Sequence, residues 1–271
     1  MRKKRAQRGS RKMSRTIVDF HVHPFDNMDY SLNMYPDVYP LDGGGMEKQL
    51  RAAGITHICG SVLSTKYKVQ NFEDLRKLNR EALRLKETFG DFYTPGFHIH
   101  PAYVKESCEE IEFMKEKGVR LVGELVHYMH GWGDFSEKNW MEIMDVAEQY
   151  HMVCSYHTPF DYNMDRMLSE HKGITFVAAH PGDRQRVPEH IELMKKHENL
   201  CLDLSGTGLF RYGVLKYLIR EVGADRILFG TDYPICNPRM YVEAIYGEEI
   251  TEEERELVFH GNAERILGQK F

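Results

Sequence analysis

Two histidines one residue apart, His21 and His23, end the first apolar run of the chain. In a β-strand alternate side chains face the same side, so both imidazoles point the same way. Such a pair suits a borderline divalent ion like zinc, and Pro24 directly after it is typical of a strand end. Alone the pair is weak evidence, because many strand-end histidines only bond to a backbone carbonyl. The other strand ends decide whether it belongs to a metal site.

Histidines and carboxylates also end most of the later apolar runs. In chain order they are His98 and His100, Glu124, His157, His180, Asp203 and Asp232. Buried imidazoles and carboxylates without partners cost several kcal/mol, so their convergence on one place makes sense mainly around a cation. The chain therefore needs a fold that brings these strand ends together.

Eight β-branched apolar runs alternate with amphipathic helical stretches. The runs begin near Thr16, Ile55, Phe92, Val119, Met152, Ile174, Leu200 and Arg226. This α/β pattern is typical of parallel strands joined by helices, and without a break in composition it predicts a single (β/α)8 TIM barrel over residues 16–271. An open doubly wound sheet normally carries a glycine-rich turn where this chain has His-Val-His-Pro. In a barrel the chemistry gathers at the carboxyl ends of the strands.

Composition restricts the remaining possibilities. The chain of 271 residues has a net charge of −5 and 42% hydrophobic residues, and no stretch approaches the roughly 20 apolar residues of a membrane span. We therefore expect no membrane partner and no general affinity for nucleic acid. Five cysteines without paired spacing indicate reduced thiols and a cytoplasmic location.

Residues 1–15 differ from the rest, with eight Lys or Arg and no acidic residue. We expect a disordered basic tail without the apolar core of a secretory signal. A nucleic-acid or transit segment is one alternative, and a true start at Met13 is another. The loop over residues 25–45 is long for a βα connection and is predicted to act as a lid.

The ordered motifs resemble the amidohydrolase superfamily, most closely its amidohydrolase-2 branch of metal-dependent hydrolases and decarboxylases. The matching motifs, which span nearly the whole chain, are Asp19-Phe-His-Val-His-Pro24, Gly123-Glu124-Leu125, Tyr156-His157-Thr158, Ala179-His180-Pro181-Gly182, Leu202-Asp-Leu-Ser205-Gly206, Phe229-Gly-Thr-Asp232-Tyr-Pro234 and Gly261-Asn-Ala-Glu-Arg-Ile-Leu267. The set is specific because the motifs fall in order on strands 1, 4, 5, 6 and 8.

The resemblance implies a site for one or two divalent ions, zinc or alternatively manganese. The implied ligands of the main ion are His21, His23, His157 and Asp232, with His180 beside it as ligand or electrophilic catalyst. Such an ion lowers the pKa of a bound water from about 16 toward about 7. Asp232 can then accept the water's proton and pass it to the leaving group, while His180 polarises the substrate oxygen.

Glu124 has two interpretations. In binuclear relatives a residue of strand 4 bridges two ions, and TatD-type deoxyribonucleases have a glutamate in a similar Gly-Glu context. Alternatively, Glu124 orients a histidine without touching an ion. Bridging would assign His157 and His180 to the second ion, whereas a site with one ion would leave His180 free for the substrate.

Six further residues are candidates for substrate contacts: His100, Tyr128, Trp132, Arg184, Arg211 and Tyr233. The arginines could bind a carboxylate or phosphate in a bidentate manner, and the aromatic residues could form a pocket wall. We expect a small-molecule substrate. The oligomeric state stays open, and a homo-oligomer is compatible with the chain.

The leading interpretation is a metal-dependent hydrolase of a small amide, lactone or ester. The alternative within the family is a metal-dependent decarboxylase of an aromatic or dienoic acid. A TatD-like phosphodiesterase or deoxyribonuclease is supported by Glu124 and the basic tail but weakened by the acidic body of the chain. A metal-stabilised binding protein without catalysis is the alternative from another class, and the complete ligand set argues against it.

Overall fold

Eight parallel strands, each paired with the next along the chain, form the sheet of the protein. The computed structural model describes residues 15–27, 42–63, 69–133, 135, 137–157 and 164–271. The strands are β1 (Val18–Asp19), β2 (His57–Gly60), β3 (Tyr93–Phe97), β4 (Leu121–Leu125), β5 (Val153–His157), β6 (Thr175–Ala179), β7 (Leu200–Asp203) and β8 (Ile227–Leu228). The predicted barrel is confirmed, with every strand within about two residues of its apolar run.

Helices alternate with the strands around the barrel. They are α1 (Gly43–Ala52), α2 (Phe72–Phe89), α3 (Val104–Glu116), α4 (His127–His130), α5 (Lys138–Gln149), α6 (Met164–Glu170), α7 (Arg186–Lys196), α8 (Val214–Val222), α9 (Pro238–Gly247), α10 (Glu252–Glu256) and α11 (Asn262–Leu267). Among the helices that the structure describes, none is both long enough and apolar enough to cross a bilayer. The predicted tail lies outside the described residues up to position 14, and so does most of the predicted lid, over 28–41.

Backbone hydrogen bonds join the end of the barrel to its beginning. Asp232 N donates to His21 O, and His23 N donates to Tyr233 O, each over 2.8 Å. This seam places the residue after β8 directly beside the histidine pair that follows β1. Three side chains that are far apart in the sequence therefore meet at the carboxyl end of the barrel.

The amino-terminal end of the barrel is filled and covered. A cluster of buried side chains from seven strands packs there against α11: Val18, Phe20, Cys59, Leu121, Val153, Val177, Cys201 and Leu228 with Ala263, Ile266 and Leu267. Burying apolar surface on this side leaves the polar strand ends at the other mouth, where a TIM barrel carries its chemistry.

Candidate metal centre

The paired histidines after β1 point to the same side, as their spacing predicts. Their ring centroids lie 5.1 Å apart, and each residue is only 3% exposed. His23 Nδ1 lies 3.1 Å from the carbonyl oxygen of Ser61, which accepts its proton and leaves Nε2 free to face the site. The pair thus presents two Nε2 atoms to the same space.

Two carboxylates complete this group at nearly equal separations. His21 Nε2 lies 3.3 Å from Glu124 Oε2 and 3.6 Å from Asp232 Oδ1. His23 Nε2 lies 3.5 Å and 3.4 Å from the same two oxygens. Ligands about 2.0–2.2 Å from a tetrahedral ion are roughly 3.3–3.6 Å from one another. The buried Nε2 of His21 has no hydrogen-bond partner among the described residues. Donor types and spacing therefore fit a divalent ion.

Glu124 divides its two oxygens between two pairs of histidines. Oε2 faces His21 and His23, whereas Oε1 lies 2.8 Å from His157 Nδ1 and 3.4 Å from His180 Nε2. Two ligand triads result, one of His21, His23 and Asp232 and the other of His21, Glu124 and His180. The geometry matches what a bridging carboxylate requires, and the hydrogen bond to His157 also allows the orienting role.

Glycine shapes the backbone directly before this carboxylate. Gly123 has φ +95°, and a Cβ there would lie 2.0 Å from the carbonyl oxygen of Ser155 on β5. Only glycine fits this close approach of two strands. The Gly-Glu motif therefore sets Glu124 deep in the mouth, where it is 5% exposed.

Protons balance the charges of the cluster when no cation is bound. Burial acts to raise the pKa of Glu124, but the charge of His21 and hydrogen bonds from His157 outweigh it and hold that pKa well below its usual range. Burial likewise acts to lower the pKa of His23, yet hydrogen bonds to Asp232 and Glu124 raise it to about 9. A cation would replace these protons, because metal binding requires unprotonated imidazoles.

Two positions of the site hold the backbone in the left-handed region. His180 has φ +68° and Asp232 has φ +65°, and among the described non-glycine residues only His151 shares a positive φ. Non-glycine residues adopt this conformation rarely and at a cost, and such positions cluster at active sites. Both are the residues for which the sequence predicts catalytic roles.

Asp203 and Ser205 contact the Nδ1 atoms of His21 and His180, on the side of each ring that faces away from Glu124. Asp203 Oδ2 lies 2.9 Å from His21 Nδ1, and Ser205 Oγ lies 2.9 Å from His180 Nδ1. No role was assigned to either residue from the sequence. The available signal was the Asp-x-Ser spacing at the end of β7, which sets both side chains on one face.

Comparison with known proteins places this geometry in a family. A family model described as Amidohydrolase, of the amidohydrolase-2 type, matches residues 18–269. The chain belongs to the amidohydrolase family. The predicted family resemblance is thereby confirmed, and the family includes both hydrolases and decarboxylases, as the names of solved structures with this fold indicate.

Individual relatives agree with this assignment. The chain is 32% identical over 106 residues to a gamma-resorcylate decarboxylase of a Polaromonas species, a match that covers 39% of this chain and only 30% of that protein. An uncharacterised TIM-barrel protein of Bordetella bronchiseptica has a TM-score of 0.73 at 21% identity and covers 94% of this chain and 99% of its own. A 5-carboxyvanillate decarboxylase of Novosphingobium aromaticivorans, crystallised with manganese, has a TM-score of 0.67 at 14% identity. The match covers 95% of this chain and 97% of that protein.

Three of the predicted substrate residues of this amidohydrolase are accessible. Tyr128 is 64% exposed, and its ring lies 5.2 Å from that of His157. Arg211 stacks on Phe210, with its guanidinium 4.8 Å from the ring centroid, and donates to Gly182 O. Arg184 is exposed on the loop that follows His180. Tyr128 is thus an accessible candidate whose ring lies beside that of His157 in the candidate metal centre.

The other three predicted substrate residues are buried. Both ring nitrogens of His100 bond to backbone groups. The Trp132 ring packs 4.8 Å from that of Trp140, and the Tyr233 hydroxyl donates to Gln49 over 2.9 Å. These contacts favour structural roles for His100, Trp132 and Tyr233.

Proposed function

We propose that this amidohydrolase is a metal-dependent hydrolase of a small carbonyl compound, an amide, lactone or ester. The observation that carries the proposal is the position of Glu124, whose two oxygens face different histidine pairs. A carboxylate in this position can join two ions about 3.5–4 Å apart, an arrangement that many hydrolases use.

These contacts support a ligand set for two ions. The first ion would be held by His21, His23 and Asp232, the second by His157 and His180, and Glu124 would contact both. Imidazole and carboxylate donors suit zinc or manganese. Bound there, the ions would polarise a substrate carbonyl and lower the pKa of a water toward neutrality.

Asp232 supplies the proton transfers of the proposed reaction. As the water oxygen forms a bond to the carbonyl carbon, the Asp232 carboxylate accepts the water's proton. When the bond to the leaving nitrogen or oxygen breaks, Asp232 returns the proton to that atom. Its backbone bond to His21 O and its strained φ fix the carboxylate within this mouth.

Decarboxylation of an aromatic acid is a second candidate function. The 32% identity to gamma-resorcylate decarboxylase supports it, although that match covers only 39% of the chain. Exposed Tyr128 beside His157, and Arg211 beside Phe210, could accept an aromatic carboxylate. In this reaction Asp232 would donate a proton to the ring carbon as carbon dioxide leaves.

Metal stoichiometry tests the leading proposal. After chelation, we expect wild type to bind two zinc or manganese ions and Glu124→Gln to bind at most one. Glu142→Gln, on the exposed face of α5, serves as a matched control and should bind two. One ion in every protein, even with excess metal, would contradict the two-ion proposal.

A substrate panel separates the candidate functions. The metal-loaded protein is assayed with nitrophenyl esters, lactones, anilides, hydroxybenzoates and a bis-nitrophenyl phosphate. We expect hydrolysis of a carbonyl substrate. Release of carbon dioxide without ester, lactone or amide hydrolysis would favour the decarboxylase. Turnover of the phosphate diester alone would favour the nuclease, and no turnover with full metal occupancy would favour a binding protein.

A further inference from the structure

Asp203 and Ser205 form a buried hydrogen-bonded chain behind the metal centre. Asp203 Oδ2 lies 2.9 Å from His21 Nδ1, and Asp203 Oδ1 accepts from the hydroxyl and the backbone N of Ser205, the latter over 2.9 Å. Ser205 Oγ in turn lies 2.9 Å from His180 Nδ1 and 3.1 Å from His21 Nδ1. Both residues are fully buried, so no bulk water competes for these contacts.

Counting donors and acceptors fixes where each proton lies. Asp203 is surrounded by N–H and O–H donors, which favour its charged, purely accepting form. The Ser205 hydroxyl must then donate to Asp203, so its oxygen accepts from His180 Nδ1. The other Asp203 oxygen can only accept, so His21 Nδ1 must also carry a proton. With Asp203 charged, no other assignment leaves every contact with one donor and one acceptor.

We infer that Asp203 and Ser205 are positioning residues that fix a proton on Nδ1 of both His21 and His180. The Nε2 atoms of the two rings are thereby left to face Glu124. The inference rests on the proposed function only in taking these Nε2 atoms as ligand atoms. Each residue has a main partner, because Asp203 Oδ2 lies 2.9 Å from His21 Nδ1, and Ser205 Oγ lies nearer to His180 Nδ1, at 2.9 Å, than to His21 Nδ1, at 3.1 Å.

Gly206 supports the second half of this arrangement. A Cβ at Gly206, which has φ +60°, would lie 2.4 Å from His180 Nδ1. The next residue after Ser205 therefore leaves room for the ring to sit against the hydroxyl. His180 itself adopts φ +68°, and Asp203 Oδ1 lies 3.4 Å from its backbone N. Ring and backbone of His180 are both held by the end of β7.

Asp203→Asn tests the control of His21. The amide oxygen should take the place of Oδ1, because two backbone N–H groups and the Ser205 hydroxyl point there. The amide N–H2 would then face His21 Nδ1, which must become an acceptor. The ring would carry its proton on Nε2, the proposed ligand atom. We expect zinc affinity to fall about 10- to 100-fold, the usual effect of losing such a partner.

Ser205→Ala tests the control of His180. This variant removes the acceptor of His180 Nδ1–H and leaves the bond between Asp203 and His21. We expect the nitrogen chemical shifts of His180 to change more than those of His21, which loses a 3.1 Å contact with the hydroxyl but keeps its proton on Nδ1 through Asp203. Affinity for the first ion should be unchanged. Ser107→Ala, which removes a buried serine that bonds to His100 instead, is the matched control.

Histidine ¹⁵N NMR in the presence of excess zinc identifies which ring nitrogens carry protons, because a charged ring without metal carries protons on both nitrogens. Zinc titration against a chelating competitor measures the affinity. Protonated Nδ1 on both rings in wild type, with loss confined to His21 in Asp203→Asn and to His180 in Ser205→Ala, supports the inference. An unprotonated His21 Nδ1 in wild type, or the same loss on both rings in both variants, would overturn it. If wild type shows both Nδ1 protons yet binds no ion, the positioning stands and the proposed function fails.

Discussion

Asp232 combines partial access, a fixed backbone and contact with both paired histidines. Its side chain keeps 10% of its surface exposed, whereas that of Glu124 keeps 5%. A carboxylate at the rim of a buried cluster can exchange a proton with a bound molecule, while a deeper one is better placed to hold charge. This difference separates the two acids of the site.

We expect Asp232→Asn to lower kcat about 10²- to 10⁴-fold, since an amide cannot accept the water's proton. Metal content should fall much less, because the amide oxygen still coordinates weakly. The comparison needs kinetics beside metal analysis, with Asp145→Asn on α5 as a control at an exposed position. Turnover at the wild-type rate would remove Asp232 from proton transfer.

The raised pKa of His23 gives zinc binding a defined pH dependence. Since hydrogen bonds to Asp232 and Glu124 outweigh burial and raise that pKa to about 9, a proton competes with the metal below this pH. We expect affinity to rise from pH 6 toward pH 9 and binding to release protons. Calorimetry in buffers of different ionisation enthalpy measures that release. Affinity that stays constant over this range would contradict the assignment of His23 as a ligand.

The turn after β7 is the element on which the site depends most closely. Gly206→Ala would place a methyl group 2.4 Å from His180 Nδ1 at φ +60°. Gly118→Ala is a matched control, because Gly118 has φ +79° but nothing within 4 Å. Both variants should lose about 1–2 kcal/mol of stability from the backbone alone. Only Gly206→Ala should also lower turnover, by about tenfold or more. Equal turnover in the two variants would show that His180 tolerates displacement.

Strand and helix order could be read from the sequence because periodicity is local. The alternation of apolar runs and helical stretches, and the position of His or acid at most strand ends, required no knowledge of tertiary contacts. The alternation of side chains along a strand also correctly placed His21 and His23 on one side. It equally indicates that Tyr233, next to Asp232, points the other way, into the contact with Gln49 that the structure shows.

The contact between Asp203 at the end of β7 and His21 could not be predicted from local periodicity. His21 and Asp203 belong to the first and seventh strands, which become neighbours in one layer only when the barrel closes. Their pairing over 2.9 Å depends on that closure. The burial of Trp132 against Trp140 similarly depends on how α5 packs, since a loop tryptophan has no local signal for its partner.

Buried histidines make the stability of the whole molecule sensitive to acid. Burial, together with the nearby charges of Lys86 and Arg51, lowers the pKa of His57 from 6.5 to about 4. Its ring packs 4.0 Å from that of Phe271 and bonds to Thr94 Oγ1. Because the unfolded chain takes up the proton first, this contribution to stability is complete above pH 6.5 and is lost as the pH falls toward 4.

At pH 5 the loss from His57 alone should be about 2 kcal/mol. We expect His57→Gln to be less stable than wild type at pH 7.5 but to lose about that much less on going to pH 5. Urea unfolding with a chelator present measures both proteins without any contribution from bound metal. Parallel stability losses between pH 7.5 and pH 5 would show that His57 does not titrate on unfolding.

The seam between the two ends of the barrel has a consequence for biosynthesis. His21 leaves the ribosome early, but the backbone group that holds it, Asp232 N, and the carboxylate beside it are made only near the end of translation. At about 5–20 residues per second, a nascent chain carries His21 for about ten to forty seconds before Asp232, its proposed partner in the site, is made. The candidate centre is therefore completed late, when the barrel closes.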